Sequence, residues 1–417
     1  MVTLGCRTNQ YESQAYVDQL SALGYEPASE GEVADVCIVN TCTVTESADS
    51  SSRHQIRLLT KENPGARILI TGCLAERIPE EIIKMEGVSD VVSNKEKEKL
   101  LERVFPGEDL PEFAIRHFDA HTRAFVKVQD GCNSFCTYCI IPYVRGRSRS
   151  RRVEDVVAEV KQLVANGYKE VVLTGINVGD FDGAPHPEES SKSLADLVRA
   201  VDQVEGLQRL RISSIDPDEV NDDLLDAVIH GKNTCPSMHI VLQSGSNVIL
   251  KRMNRKYTKQ IFCETVDRLK KADNDFTFTT DVIVGFPGES DADFQDTLQV
   301  MEKVRFAKVH MFPYSERART RAALFSGKVS TATISERKRM VLEQAEIFSF
   351  SLRAEYVGRT MPVLVESEDK KEKNLFSGHT ANFLPVLIRS DAVKSNDLVQ
   401  VQIIDNSAEA LIGRVVL

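Results

Sequence analysis

The chain has 417 residues, 42% hydrophobic and 27% charged, a globular profile that excludes extended disorder and has length for two to four compact units. No apolar run approaches the roughly 20 residues of a membrane span, and the start, Met-Val-Thr-Leu-Gly-Cys, lacks a signal peptide's basic region and apolar stretch, so a cytoplasmic protein is expected. A net charge of −10 disfavours a polyanionic partner unless cations are locally concentrated, and nine cysteines, an odd number, favour metal or redox chemistry over disulfides.

Residues 1 to about 105 alternate short apolar runs with amphipathic stretches, the pattern of an open parallel α/β sheet with crossover helices. Strands are expected over Val2 to Leu4, Val36 to Asn40, Arg67 to Thr71 and Asp90 to Val92, and helices over Gln10 to Leu23, Glu46 to Leu59 and Glu80 to Met85. Single cysteines, Cys6, Cys42 and Cys73, follow the first three strands. In open α/β sheets that edge is where ligands bind. One small buried cysteine is ordinary, but three at equivalent strand ends point to a three-thiolate site. Cys37 lies inside a strand and Cys235 and Cys263 are isolated, so core or incidental roles are expected for them.

Residues 106–121, with Pro106 and Pro111, read as a linker. A strand over Ala124 to Gln129 then leads into Cys132, Cys136 and Cys139, spaced by three residues and then two. Nine randomly placed cysteines would give that spacing about 0.004 times in a chain of this length. Zinc favours four ligands, often paired Cys-x-x-Cys units or histidines, and no histidine lies in the loop. The triplet reads instead as an iron–sulfur site with one iron left open.

Arg145, Arg147, Arg149, Arg151 and Arg152 follow directly, with no acid among them. They are expected to form a positive rim that steers a phosphate backbone, against the plainer reading of a solvated loop. A helix over Val153 to Tyr168 and strands over Glu170 to Thr174, Leu210 to Ser213, Met238 to Leu242, Thr279 to Val284 and Lys308 to Phe312 continue the series. Six strands with intervening helices predict a partial (β/α)6 barrel over 122–356, its active site at the strand C-termini. Residues 357–417 change to short β-rich segments, Met361 to Val365, Phe383 to Ile388, Leu398 to Ile404 and Leu411 to Val416, expected to form a small antiparallel β-barrel. Such barrels bind RNA or serve as structural appendages.

The cysteine loop and the αβ series resemble radical S-adenosylmethionine (SAM) enzymes, and the whole chain is similar to the methylthiotransferase family. The stretches that carry the likeness include Leu4-Gly5-Cys6-Arg7-Thr8-Asn9-Gln10, Asn40-Thr41-Cys42, Thr71-Gly72-Cys73, Cys139-Ile140-Ile141-Pro142-Tyr143, Leu242-Gln243-Ser244-Gly245-Ser246, Val284-Gly285-Phe286-Pro287-Gly288-Glu289 and Gly378-His379-Thr380. The resemblance implies two [4Fe-4S] clusters, a radical SAM cluster on Cys132, Cys136 and Cys139 and an auxiliary, sulfur-carrying one on Cys6, Cys42 and Cys73. It implies two SAM molecules per turnover, one methylating the sulfur and one giving the radical that removes hydrogen from a C–H bond. It also implies that the terminal barrel is a TRAM domain. SAM contacts are expected from Tyr138 on the adenosine, Thr174 and Gly175 on the amino group, and Ser213, Ser214, Gln243, Ser244 and Asp281 on the ribose or carboxylate.

Asn9-Gln10-Tyr11-Glu12, Gln129-Asp130-Gly131 and Leu173-Thr174-Gly175-Ile176-Asn177-Val178-Gly179 look like the branch acting on N6-threonylcarbamoyladenosine at position 37 of tRNA, next to the anticodon. The other branches, acting on isopentenyladenosine or on a ribosomal-protein aspartate, are the alternatives. A tRNA anticodon stem-loop and a reducing donor such as flavodoxin or ferredoxin are the expected partners; DNA and membranes are not. Tyr143 and Phe383 are candidates for base stacking, and Arg317, Arg319 and Arg321 for further RNA contact. A non-enzymatic iron–sulfur RNA-binding or redox-sensing protein is the rival reading, disfavoured because an electron carrier is better served by four thiolates per cluster.

Overall fold

The structure, a computed structural model, describes every residue except Glu30, Asp119, Ala120, Pro187 and Leu417. The expected linker includes two of these, 119 and 120, which lie outside the described residues; the rest of 106–121 carries no helix or strand. No described helix is long and apolar enough to cross a membrane.

The first unit is a four-stranded parallel sheet in the order β1 (Val2–Thr3), β2 (Val36–Thr41), β3 (Arg67–Gly72), β4 (Val88–Val91). β2 and β3 are buried on both faces, which is why they read as continuous apolar runs rather than alternating ones. Helices Arg7–Ala22 and Glu46–Glu62 cross between strands. The second is capped by Thr45, whose hydroxyl oxygen accepts the Ala48 N–H at 3.1 Å, and carries Glu46 and Asp49 in its first turn, where the helix dipole favours acids. A short helix, Cys73–Arg77, not expected from the sequence, begins at the third cysteine itself.

The second unit is a curved wall of six parallel strands. β5 (Arg123–Lys127) pairs with β8 (Glu170–Thr174) and β8 with β9 (Arg209–Ile212), while β10 (Ser237–His239) pairs with β11 (Thr277–Val284) and β11 with β12 (Lys308–Pro313). Parallel bridges Ile215 to Ile240 and Gln243 to Val282 carry the curve onward between and beyond these strands. Two short segments interrupt the series, β6 (Gln129–Asp130) and β7 (Arg149–Ser150), an antiparallel pair that forms the neck of the triplet loop. Val126, Val171, Leu173, Leu210, Phe262, Phe278, Val282 and Phe306 belong to one large core. Each such side chain contributes about 1.5–3 kcal/mol on leaving water.

After a long helix, Thr331–Ala354, the chain closes a five-stranded barrel in the order β13 (Thr360–Glu368), β14 (Leu375–Thr380), β15 (Pro385–Arg389), β17 (Leu411–Val415), β16 (Leu398–Asn406). Its pairings are antiparallel except β15 with β17, which is parallel. Val363, Val365, Phe376, Val386, Ile388, Val401, Ile403 and Leu411 fill its interior. The strand β14 was not among the expected segments, because Leu-Phe-Ser-Gly-His-Thr holds little β-branched character.

Candidate active site

The triplet loop hangs from the β6–β7 neck and is fastened by one buried side chain, Gln129. Its amide nitrogen donates to the Gly131 carbonyl at 2.7 Å and the Ser148 hydroxyl at 2.8 Å, while its oxygen accepts the N–H groups of Ile176 and Asn177, each at 3.0 Å. The cysteine loop and the segment after β8 are thereby locked together. Gly131 has φ +74°, and a Cβ there would stand 2.0 Å from the Arg147 carbonyl oxygen, so only glycine fits. Cys132 sulfur accepts the Ser134 N–H at 3.4 Å, and Cys136 sulfur accepts from the Arg255 guanidinium at 3.0 Å. Burial pushes the Cys132 and Cys139 thiols up, and at Cys139 the neighbouring Cys136 adds to it. Cys132 and Cys139 are therefore neutral as free thiols, and coordination to iron is what would strip their protons.

The second triplet forms at the strand ends. In the β2–β3 register Thr41 lies opposite Gly72, so Cys42 and Cys73 are the next residues on adjacent strands. Cys6 caps helix Arg7–Ala22 beside them. Gly5 lies against Cys42, since a Cβ on Gly5 would fall 3.0 Å from the Cys42 sulfur. Asn9 ties the corner together, donating to the Leu4 carbonyl at 2.7 Å and the Thr41 carbonyl at 3.1 Å. Burial, reinforced by Cys73 and Cys6, pushes the Cys42 thiol up to about 11. Burial also raises Cys73, against the opposing effect of Arg145. Among the described residues no three of His, Cys, Asp and Glu converge tightly enough to hold one metal ion, whereas an iron–sulfur cluster spreads its thiolates over several irons.

The two triplets meet across a thin apolar layer. Cys73 packs with Ile140, Ile141 and Val144 of the segment after the triplet loop, and Cys132, Cys139 and Ile176 pack on the same group. Beside that layer lies a buried ion network. Arg145 pairs with Glu12 at 3.1 Å and Asp130 at 2.7 Å, and Lys97 pairs with the same two acids at 2.5 and 2.6 Å. Burial opposes ionisation of Glu12, but Arg145, Lys97 and Lys127 outweigh it and hold its carboxyl down at about 2.

This network corrects the expected basic rim. Arg145 is buried, Arg151 pairs with Glu159 at 2.5 Å, and Arg152 pairs with Glu189 at 2.6 Å. Arg147, over the Phe135 ring at 4.3 Å, and Arg149 remain at the surface, with Tyr143 exposed nearby. Arg317 likewise turns inward to Asp49 at 2.9 Å, while Arg319 and Arg321 stay exposed. Phe383 lies on the inner side of the terminal barrel's loop, between Arg123 and Arg211 at 5.1 and 4.9 Å, and is not a free stacking platform.

The expected SAM contacts lie in several surroundings. Tyr138 lies edge-on to Phe286, ring centres 6.3 Å apart, in a pocket with Ile249, Met253 and Ile283. Thr174 ends β8, and Gly175 is so close to Gln129 that a Cβ would stand 2.8 Å from its side-chain oxygen. Ser213 and Gln243 are buried, and the Ser213 hydroxyl and the Gln243 side-chain oxygen have no partner. Unpaired buried oxygens at the strand ends are free to accept from a ligand, which suits a cofactor with an ammonium group. Ser214 is half-buried. Ser244 departs from expectation, because its hydroxyl is used internally, accepting the Ser246 N–H at 3.2 Å and lying 3.5 Å from the Thr297 hydroxyl. Asp281 faces His239 Nε2 at 3.4 Å, farther inside the barrel. Gln129, Asn9 and Arg255 carry roles that spacing did not reveal; the first two stood inside quoted stretches, and Arg255 had no signal.

Comparison with known proteins bears on the whole chain. Residues 126–301 match the family described as Radical SAM superfamily, and residues 1–94 that described as Uncharacterized protein family UPF0004. The chain is 49% identical to the threonylcarbamoyladenosine tRNA methylthiotransferase MtaB of Chlamydia pneumoniae, over 100% of this chain and 97% of that protein. It is 34% identical to the tRNA-2-methylthio-N(6)-dimethylallyladenosine synthase of Finegoldia magna, over 100% of this chain and 94% of that protein. The radical SAM methyltransferase TsrM of Kitasatospora setae, solved with tryptophan and a SAM analogue, shares the fold at a TM-score of 0.55 and 12% identity, covering 80% of each chain.

Proposed function

The chain belongs to the radical SAM methylthiotransferases, and from that premise we propose that it inserts a methylthio group at C2 of N6-threonylcarbamoyladenosine beside the anticodon of tRNA. The observation that carries the reading is the packing of Cys73 onto the segment that follows Cys139, which supports two three-cysteine sites working on one substrate. The identity of 49% to a threonylcarbamoyladenosine enzyme, against 34% to a dimethylallyladenosine enzyme, supports the choice of base.

Cys132, Cys136 and Cys139 hold one [4Fe-4S] cluster in this reading, and Cys6, Cys42 and Cys73 a second. When bound, the first cluster with SAM supplies a hydrogen-abstracting radical and the second supplies sulfur. The chain's own part is placement and exclusion. Arg255 donates to Cys136 and so favours its thiolate. Gln129 fixes the loop, and the unpaired oxygens of Ser213 and Gln243, expected at the ribose or carboxylate, would as acceptors serve the SAM ammonium group instead. Ile140, Ile141 and Val144 keep water from the layer between the clusters. Tyr143, Arg147 and Arg149 offer an aromatic face and two cations to the RNA around the target base. Electrons come from a small reducing protein of the flavodoxin or ferredoxin type.

Mass spectrometry of tRNA nucleosides from a strain lacking the gene tests this. The 2-methylthio form of N6-threonylcarbamoyladenosine should vanish, its unthiolated precursor should accumulate, and the intact gene should reverse both. Loss of the methylthio-isopentenyl nucleoside instead would transfer the protein to the other branch.

A further inference from the structure

All three parts of the chain contribute to one small cationic cavity inside the curved wall. It is lined by Arg7 from the first unit, by Arg123, Arg211, His239 and Thr279 from the wall, and by Phe383 from the terminal barrel. Two of these arginines are already committed. Arg211 donates to Glu170 at 2.7 Å and to the Ala381 and Thr380 carbonyls at 2.8 and 3.0 Å, and Arg123 pairs with Glu366 at 3.2 Å. Arg7 differs. Its guanidinium lies over the Phe125 ring at 5.3 Å and makes no hydrogen bond or ion pair with a described residue. The nearby acids are engaged elsewhere, Glu170 with Arg211 and Asp281 with His239.

A guanidinium with unused donors in a partly desolvated cavity fits an anion, and its planar fork fits a carboxylate. The cavity volume, about 30 Å³, decides the size of the group. One water needs roughly 10–15 Å³ on that measure, so there is room for two oxygens and not for a base. Position separates this anion from the SAM carboxylate. The cavity takes in Arg123, the first residue of β5, whereas the triplet follows the other end of that strand, about 13 Å away.

We propose that Arg7 receives the carboxylate of the substrate's threonyl group, and so selects N6-threonylcarbamoyladenosine over a base with a hydrocarbon substituent. The inference rests on the reading of the substrate above. Chain geometry supports it, since Arg7 directly follows Cys6. C2 and C6 of adenine are separated by one ring nitrogen, so a base whose C2 meets the sulfur site carries its N6 substituent into an arginine's reach of that site. A hydrocarbon substituent would shut the half-buried Arg7 off from water without giving it a partner, which is how a polar site rejects an apolar rival.

The test is binding of the full-length, anaerobically prepared protein to two anticodon stem-loops, one with the natural threonyl carboxylate and one with the threoninamide. Wild type should prefer the acid by about 10- to 100-fold, the worth of a hydrogen-bonded charge. Arg7→Gln should bring the ratio near one, and Arg7→Lys should restore part of it, which a purely structural role for Arg7 would not do. Equal binding of both stem-loops by wild type, or an undiminished preference in a folded Arg7→Gln, overturns the inference while leaving the function intact. Methylthiolation by wild type of an isopentenyladenosine stem-loop, and not of the threonylcarbamoyl one, overturns the function and the inference with it.

Discussion

Arg145 carries a full charge into the layer between the triplets, and its surroundings set the cost of removing it. Glu12 and Asp130 are both buried against it, so Arg145→Met would leave two desolvated acids with Lys97 and Lys127 beside them and Arg149 3.7 Å from Asp130. Breaking such a network on one side costs about 3–5 kcal/mol, which urea denaturation should register; a loss below about 1 kcal/mol would mean that the network adds nothing. A second residue gives a pH signature. Burial first, then the charge of Asp216, pushes Glu219 from its ordinary 4.5 up to about 7, while it accepts from the Asn177 amide at 2.9 Å. The folded state therefore binds this proton more tightly than the unfolded one, so stability from this group is full below pH 4.5 and declines up to about pH 7. Glu219→Gln should lack the decline, gaining on wild type by at most about 3 kcal/mol between those limits, measured by denaturation at several pH values. At this scale the placement of the cysteines at strand ends was legible and that of the arginines was not. Spacing identifies thiols that must converge, but whether Arg145 faces phosphate or Glu12 depends on an acid 133 residues away in sequence.

At the scale of elements, the neck of the triplet loop is the sensitive point. Gly131→Ala places a methyl group against the Arg147 carbonyl at a backbone angle that side chains avoid. The variant should fold yet bind about half the wild-type iron, because the loop distorts while the sheet-edge triplet stays intact; full iron content would show that the loop tolerates the strain. The strands β2, β3 and β8 were legible because burial on both faces writes them as largely apolar runs. Helix Cys73–Arg77 was not, since five residues carry no readable period. It matters because it turns Cys73 toward the neighbouring loop. The terminal barrel was legible as a class, while its docking was not. Arg209 and Arg211 bind carbonyls of His379, Pro362, Thr380 and Ala381, contacts to backbone that leave no trace in side-chain pattern.

For the molecule as a whole, the three units are held in contact by apolar packing, with Tyr11 and Ala15 in the wall's core and Cys73 against Ile140 and Ile141, and by polar groups. Tyr11 donates to Glu159 at 3.0 Å, Lys127 binds Glu98 at 3.0 Å, Arg317 reaches Asp49, and the barrel's Asn382 donates to the Asp275 carbonyl at 3.1 Å. These joints set one cysteine triplet against the other and put Arg7 inside the wall. The central claim is that the triplets divide the labour, one generating the radical and one delivering sulfur. The most direct measurement gives reconstituted wild type and Cys73→Ala the same threonylcarbamoyl stem-loop, SAM and dithionite, and assays both products. Wild type, with about eight irons, should yield 5′-deoxyadenosine and methylthiolated nucleoside; Cys73→Ala, with about four, should yield 5′-deoxyadenosine alone. Methylthiolated nucleoside from Cys73→Ala at the wild-type level would contradict the account.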